Sequence, residues 1–160
     1  MLGFTIHHVG VAVRDIPKTA EFYVRSFGYR IESAIIHDPA QSALVQFLRF
    51  PGDRTYLELV QPEGPGSKLS QAIKSGGGLH HICYAADDIE RACKELCAGG
   101  LFLIAPPVPA VAFKGRRIAW LADSGRVITE LVERGPEDEF TLNSHEAGSS
   151  VKAGKPGRSK

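Results

Sequence analysis

The sequence predicts an α+β fold made of two tandem βαβββ modules, and three observations carry that expectation. The stretch Ile6-His7-His8-Val9-Gly10-Val11-Ala12-Val13-Arg14-Asp15-Ile16 returns as Leu79-His80-His81-Ile82-Cys83-Tyr84-Ala85-Ala86-Asp87-Asp88-Ile89, at an offset of 73. Tyr56-Leu57-Glu58-Leu59-Val60 is answered by Ile128-Thr129-Glu130-Leu131-Val132, at an offset of 72. Apolar residues in both halves alternate with period two around one stretch of helical spacing, the signature of strands flanking a helix. Self-similarity at a fixed offset dictates architecture, so each half carries one His near its start and one Glu near its end.

The first strand spans 5–13. Val9, Val11 and Val13 form its bulky series, which should pack under a helix. His8, Gly10 and Ala12 form a small series, which leaves its face open. Asp15 and Pro17 mark a helix start, and Ala20, Tyr23, Val24 and Phe27 keep helical spacing. Gly28 ends that helix. Strands are expected over 29–37, 43–50 and 54–61, separated by Asp38-Pro39 and Pro51-Gly52-Asp53. After a Pro/Gly link at 62–67, a short helix covers 68–74 and stops at Gly76-Gly77-Gly78. The second module repeats the order. A strand covers 79–86, and a helix capped by Asp87 or Asp88 runs to about Ala98. Strands follow at 101–105, 116–121 and 126–133, and Pro106-Pro107-Val108-Pro109 reads as a loop, because no central strand tolerates that run.

Residues 1–134 are therefore expected to form a single domain of two modules, 5–61 and 79–133. The Ser/Gly/Lys/Glu-rich stretch 135–160 is expected to be a disordered tail. The chain has 160 residues, enough to bury a sizeable core. Nineteen basic against 18 acidic residues give a formal net charge of +1, which favours neither nucleic acid nor an anionic membrane as partner. No apolar run approaches the roughly 20 residues of a membrane span. The N-terminus lacks the pattern of a signal peptide. Three cysteines without framework spacing suit a reducing compartment. The sequence thus reads as soluble and cytoplasmic, with a small-molecule partner.

Neighbours on a strand point to opposite faces, so only one His of each doublet should reach a common site. His8 travels with Gly10 and Ala12, and His81 with Cys83 and Ala85. Glu58 and Glu130 sit in apolar strands, where a carboxylate is costly unless it is paired or ligates a metal. If the halves are related by a pseudo-twofold axis, His8, Glu58, His81 and Glu130 converge as four metal ligands. Two imidazoles and two carboxylates suit Zn, Ni, Co, Mn or Fe(II) rather than thiolate-loving ions. Such an ion stabilises an enolate as a Lewis acid, and a carboxylate at its edge moves a proton, which makes Glu130 and Glu58 the candidate catalytic residues. Lys114 and Arg116 are candidates for meeting an acidic substrate group. Trp120 and Phe47 read first as core, with pocket lining second for both; Trp120 is also a candidate substrate-binding residue. Cys83 shares the face of His81 and is a candidate pocket residue, whereas Cys93 and Cys97 read as small apolar helix residues.

These carriers resemble the vicinal oxygen chelate superfamily: Ile6-His7-His8-Val9-Gly10-Val11-Ala12-Val13, Tyr56-Leu57-Glu58-Leu59-Val60-Gln61-Pro62, Gly78-Leu79-His80-His81-Ile82 and Ile128-Thr129-Glu130-Leu131. Within it they are similar to methylmalonyl-CoA epimerase and its glyoxalase-like relatives. The resemblance covers residues 5–133. It implies a cupped mixed β-sheet around one divalent metal held by His8, Glu58, His81 and Glu130, a homodimer, and an isomerase, epimerase or lyase acting through an enolate of a 2-oxo, hydroxy or acyl-thioester substrate. In the epimerases a second Glu lies between the second and third strands. Here that loop reads His37-Asp38-Pro39-Ala40-Gln41-Ser42, with Ala40 at the expected position and Asp38 as the nearby substitute. The alternatives are a sequestering protein of the bleomycin-resistance type and an Fe(II) ring-cleaving dioxygenase. Retention of all four ligand positions argues against the first. The extra Glu and the short chain argue against the second.

Overall fold

The computed structural model describes residues 3–64 and 66–135. The elements run β1 (Thr5–Ala12), α1 (Ile16–Phe27), β2 (Arg30–Ile31), β3 (Ile36–Asp38), β4 (Ala43–Arg49), β5 (Tyr56–Pro62), α2 (Ser70–Lys74), β6 (Gly78–Ala86), α3 (Ile89–Ala98), β7 (Phe102–Pro109), β8 (Arg117–Ala122) and β9 (Ile128–Glu133), with a 3-10 turn at Val111–Phe113. Among the described residues the strands form one mixed sheet in the order β2-β4-β5-β1-β6-β9-β8-β7, with β3 paired to β4. In each half the first strand is parallel to the last: β1 to β5, and β6 to β9. The halves meet where β1 and β6 run antiparallel. The α+β fold of two βαβββ modules stands as expected.

Both long helices start and stop as their sequences direct. The Asp15 side chain accepts from the Lys18 N–H, and Gly28 ends α1 at φ 78, where a side chain would be strained. Asp88, rather than Asp87, caps α3 by accepting from the Arg91 N–H. Helices of 10 and 12 residues are marginal alone and are held by packing one face. α1 buries Ile16 and Ala20 against Val13, Leu48 and Leu59. α3 buries Ile89, Ala92 and Cys93 against Ala119, Leu121 and Leu131. Each fully buried Ile or Leu contributes about 1.5–3 kcal/mol. Strand alternation then turns the neighbours of Leu48, Leu59, Leu121 and Leu131 to the other face, where Phe47, Cys83, Phe113 and Val132 form the remaining core.

Three expectations change in detail. The strand expected over 29–37 is two short pieces, because the Glu32 N–H donates to the Phe47 carbonyl and Ser33 Oγ accepts from the Phe47 N–H, filling the break between them. The run 106–109 is not a loop but the end of β7. β7 lies at the sheet edge, and its register against β8 shifts between Ala105 and Val108, so missing proline N–H groups are tolerated there. Strict alternation in β1 and β6 fails at His7 and His80, as described below. The 135–160 tail lies, beyond Gly135, outside the described residues.

Candidate metal centre

The register of the central strands assembles two rows of side chains. Gly10 pairs with Glu58 on one side and His81 on the other, and Glu58 pairs with Phe47. His8 pairs with Cys83, Cys83 with Glu130, and Glu130 with Trp120. The second row is the first seen through the pseudo-twofold relation, with His8 for His81, Cys83 for Gly10, Glu130 for Glu58 and Trp120 for Phe47. Gly10 is the position where the relation must break. A Cβ there would lie 2.0 Å from His81 Cε1, so the His81 ring occupies the space a side chain would take.

All four sequence-derived ligand residues converge and are buried: His8 at 0%, His81 and Glu130 at 3%, Glu58 at 6% exposure. His8 Nε2 lies 3.0 Å from His81 Nε2. Glu130 Oε2 lies 2.9 Å from His8 Nε2 and 3.3 Å from His81 Nε2. Glu58 Oε2 reaches the same two nitrogens at 3.4 and 3.2 Å. Adjacent donors on an ion with bonds of about 2.0–2.2 Å stand about 3.0–3.5 Å apart, a spacing that His8, His81 and Glu130 match, their donor atoms all lying within 4.8 Å of one another, while Glu58 reaches the two nitrogens. The donor chemistry fits too, since neutral imidazole and carboxylate together suit borderline and hard divalent ions.

The electrostatics point the same way. Burial would raise the carboxyls of Glu58 and Glu130, but the two imidazoles reverse this, holding Glu58 at about 2 and Glu130 well below the usual carboxylate range. Burial would lower the histidines, yet the carboxylates raise His8 and push His81 up to about 10. Across 3.0 Å the two Nε2 atoms cannot both present a proton to each other. Two carboxylates therefore hold positive charge between two imidazoles, the charge balance a divalent ion would supply.

The sequence reading missed a second layer. β1 pairs Ile6 with Tyr84 but His8 with Cys83, so His7 is the extra residue of a β-bulge, and His80 is the extra residue between the Gly10–His81 and Val11–Leu79 pairs. The bulges turn both side chains onto their neighbours, with His7 Nδ1 2.9 Å from His8 Nδ1 and His80 Nδ1 2.9 Å from His81 Nδ1. Burial, with His8 and Arg116 nearby, drops His7 to about 3. The doubled His-His was visible in the sequence, but alternation assigned one member of each pair to the far face.

Aromatic rings close the centre. Phe113 stacks on His8 at 5.9 Å and 24°, Phe47 meets the same ring at 5.5 Å, and Trp120 stands edge-on to His81 at 4.9 Å. Trp120 is half-buried and packs against the core as well as against His81, and its Nε1–H is buried without an acceptor among the described residues. Cys83 is fully buried. Burial and the Glu130 carboxylate, which its thiol contacts, push it well up, so it is no thiolate nucleophile. Arg116 lies over the Phe113 ring and lines a cavity of about 160 Å³ with His7, Tyr56, Arg49, Arg54 and Arg134. Arg49 and Arg54 were not anticipated. Lys114 ends the 3-10 turn, exposed and outside that cavity lining. Arg117 is tied to Glu90 and Glu133.

The fold belongs to one class, and the comparisons agree. Residues 7–120 match the Glyoxalase/Bleomycin resistance protein/Dioxygenase superfamily, and the chain belongs to that family. It is similar to the ethylmalonyl-CoA/methylmalonyl-CoA epimerase of Cereibacter sphaeroides, 30% identical over 118 residues that cover 72% of this chain and 86% of the relative. Glyoxalase I of Saccharomyces cerevisiae is 28% identical over 116 residues, covering 60% of this chain and 35% of that protein. Among solved structures, methylmalonyl-CoA epimerase from Mycobacterium tuberculosis superposes with a TM-score of 0.69 at 26% identity, covering 82% of this chain and 88% of that one. Among the described residues no helix is long and apolar enough to cross a membrane.

Proposed function

We propose that this chain is a metal-dependent isomerase, epimerase or lyase of the glyoxalase and methylmalonyl-CoA epimerase type. Its substrate would be a small 2-oxo, hydroxy or acyl-thioester compound that loses a proton beside its carbonyl. The observation that carries this reading is the buried pair of Nε2 atoms bracketed by two carboxylates at ligand spacing. His8, Glu58, His81 and Glu130 would hold the ion. A divalent ion, one of Zn, Ni, Co, Mn or Fe(II), supplies Lewis-acid stabilisation to an oxygen that gains negative charge.

The protein's own groups do the rest. Glu130 accepts the substrate proton, with Glu58 as its symmetry-related counterpart. The Trp120 indole N–H donates to the substrate oxygen, which answers its lack of an acceptor. Arg116, with Arg49 and Arg54 in the same cavity, attracts an acidic substrate group. Asp38 supplies the second acid/base group. It is buried on the face of β3 that carries Ile36, and the N–H groups of Gln41 and Ala40 donate to it. Burial raises its carboxyl, and the Glu58 and Glu130 carboxylates add to the rise, which favours a proton donor.

The test is metal content of purified protein beside His81→Ala and Glu130→Ala, with solvent deuterium exchange at the α-carbon of 2-oxo and acyl-CoA substrates. One divalent ion per chain, absent from both variants, with exchange in the wild type alone, is the expected result. Asp38→Asn should keep its metal and lose about 10²-fold or more in turnover. A wild type that holds no metal, and gains no thermal stability from Zn, Ni, Co or Mn, sinks the reading in favour of a sequestering protein.

A further inference from the structure

Each of the histidines placed as ligands directs Nε2 into the centre and Nδ1 out of it, and in both cases Nδ1 meets a second histidine. The separations are the same, 2.9 Å for His7–His8 and 2.9 Å for His80–His81. So are the ring arrangements, edge-to-face at 79° and 89°. Both outer histidines are the extra residues of bulges at symmetry-related places in the β1–β6 ladder. Bulges re-aim side chains beside functional sites.

Two ring nitrogens at this separation share one proton, so one donates and the other accepts. An imidazole that offers its Nε2 lone pair to a cation carries its proton on Nδ1. His8 and His81 are then the donors, and His7 and His80 the acceptors on Nδ1. We propose that His7 and His80 are positioning residues, whose Nδ1 atoms accept from His8 and His81 and so fix the tautomer and ring orientation in which Nε2 binds a divalent cation. The inference rests on the metal-centre reading above. The outer rings are themselves held: His7 by Tyr56 at 5.5 Å and Phe113 at 5.3 Å, His80 by Trp120 at 6.3 Å. A ring packed on aromatics presents its acceptor in one direction, which a water molecule in its place would not.

The experiment is competition of Zn²⁺ and Co²⁺ between the protein and a colorimetric chelator, for wild type, His7→Phe, His80→Phe, His7→Asn and His80→Asn. Phenylalanine keeps the ring and removes the acceptor, whereas asparagine restores an acceptor oxygen near the place of Nδ1. Loss of an outer-shell partner costs about 10–100-fold in metal affinity. Each Phe variant should weaken by that factor and shift the visible spectrum of bound Co²⁺, and each Asn variant should recover most of the affinity. Melting of each variant in chelator reports folding separately. Nitrogen-15 NMR of the zinc-loaded wild type needs no variant and should show protons on Nδ1 of both His8 and His81. Phe variants that bind like the wild type, Asn variants as weak as Phe, or Nδ1 atoms of His8 and His81 without protons would each overturn the inference while the metal centre stands. A wild type that binds neither ion overturns both.

Discussion

Four buried polar residues define the centre at the residue scale, but a glycine decides whether they can meet. His81 lies over Gly10, where an added Cβ would stand 2.0 Å from Cε1 of its ring. The partner position across the pseudo-twofold axis carries Cys83, which fits because it faces Glu130 and His8 instead. Gly10→Ala should therefore push the His81 ring off its place. Overpacking of this kind costs about 1–3 kcal/mol. The expected result is a loss of that size in urea unfolding, together with metal binding weakened at least about tenfold in chelator competition. Wild-type affinity in Gly10→Ala would show that His81 reaches the centre by another path. Cys83→Gly should disturb metal binding less, although it costs stability by removing a fully buried core side chain from a strand.

At the element scale the two modules use the same devices in the same order. An aspartate caps each long helix, and each helix lays one apolar stripe on a pair of leucines, Leu48 and Leu59 in the first module and Leu121 and Leu131 in the second. The Asp15 and Asp88 side chains each accept from a backbone N–H at 2.9 Å. Removing such a cap costs about 1 kcal/mol. Asp15→Ala and Asp88→Ala should each lower stability by about that amount, and the double variant by about the sum, because the caps lie in separate helices. Urea unfolding checks both numbers, and a double variant far from additive would mean that the helices are coupled. The alternation that placed the helices also placed the candidate ligands, because Leu59 and Glu58 are neighbours on opposite faces, as are Leu131 and Glu130. Between β1 and β6 it failed at the two bulges, and those set His7 and His80 against His8 and His81.

At the scale of the whole molecule the centre links stability to pH. His81 is raised from 6.5 to about 10, so its contribution is full below pH 6.5 and is lost as pH rises towards 10. Glu58 is lowered from 4.5 to about 2, so its contribution is present above pH 4.5 and is lost as pH falls towards 2. His7, lowered from 6.5 to about 3 by burial, adds a loss as pH falls below 6.5. Metal-free protein should therefore melt highest near pH 6.5, with a decline on both sides. A divalent ion takes the place of the histidine proton, and its affinity rises with pH. Loading with zinc should abolish the alkaline decline and leave the acid one. Thermal melting from pH 3 to 10, with chelator and with zinc, reads both limbs. An alkaline decline unchanged by metal would place the responsible groups elsewhere.

Much of this was legible in the chain itself. The repeat at an offset of 73 carried the two modules, and alternation carried the faces. The Glu in each apolar strand, matched to a His some 50 positions earlier, carried the four residues that converge at the centre. These features are local or periodic, and a periodic pattern survives without knowledge of its surroundings. Only the tertiary structure decided that His7 and His80 turn inward, because a bulge is a mismatch between two strands 73 residues apart, which neither strand records alone. It decided likewise that prolines 106, 107 and 109 end a strand, since their tolerance depends on lying at the sheet edge. Arg49 and Arg54 come beside His7 in one cavity only through packing between distant segments. Charge and size are written in a residue, but its neighbours are written only in the fold.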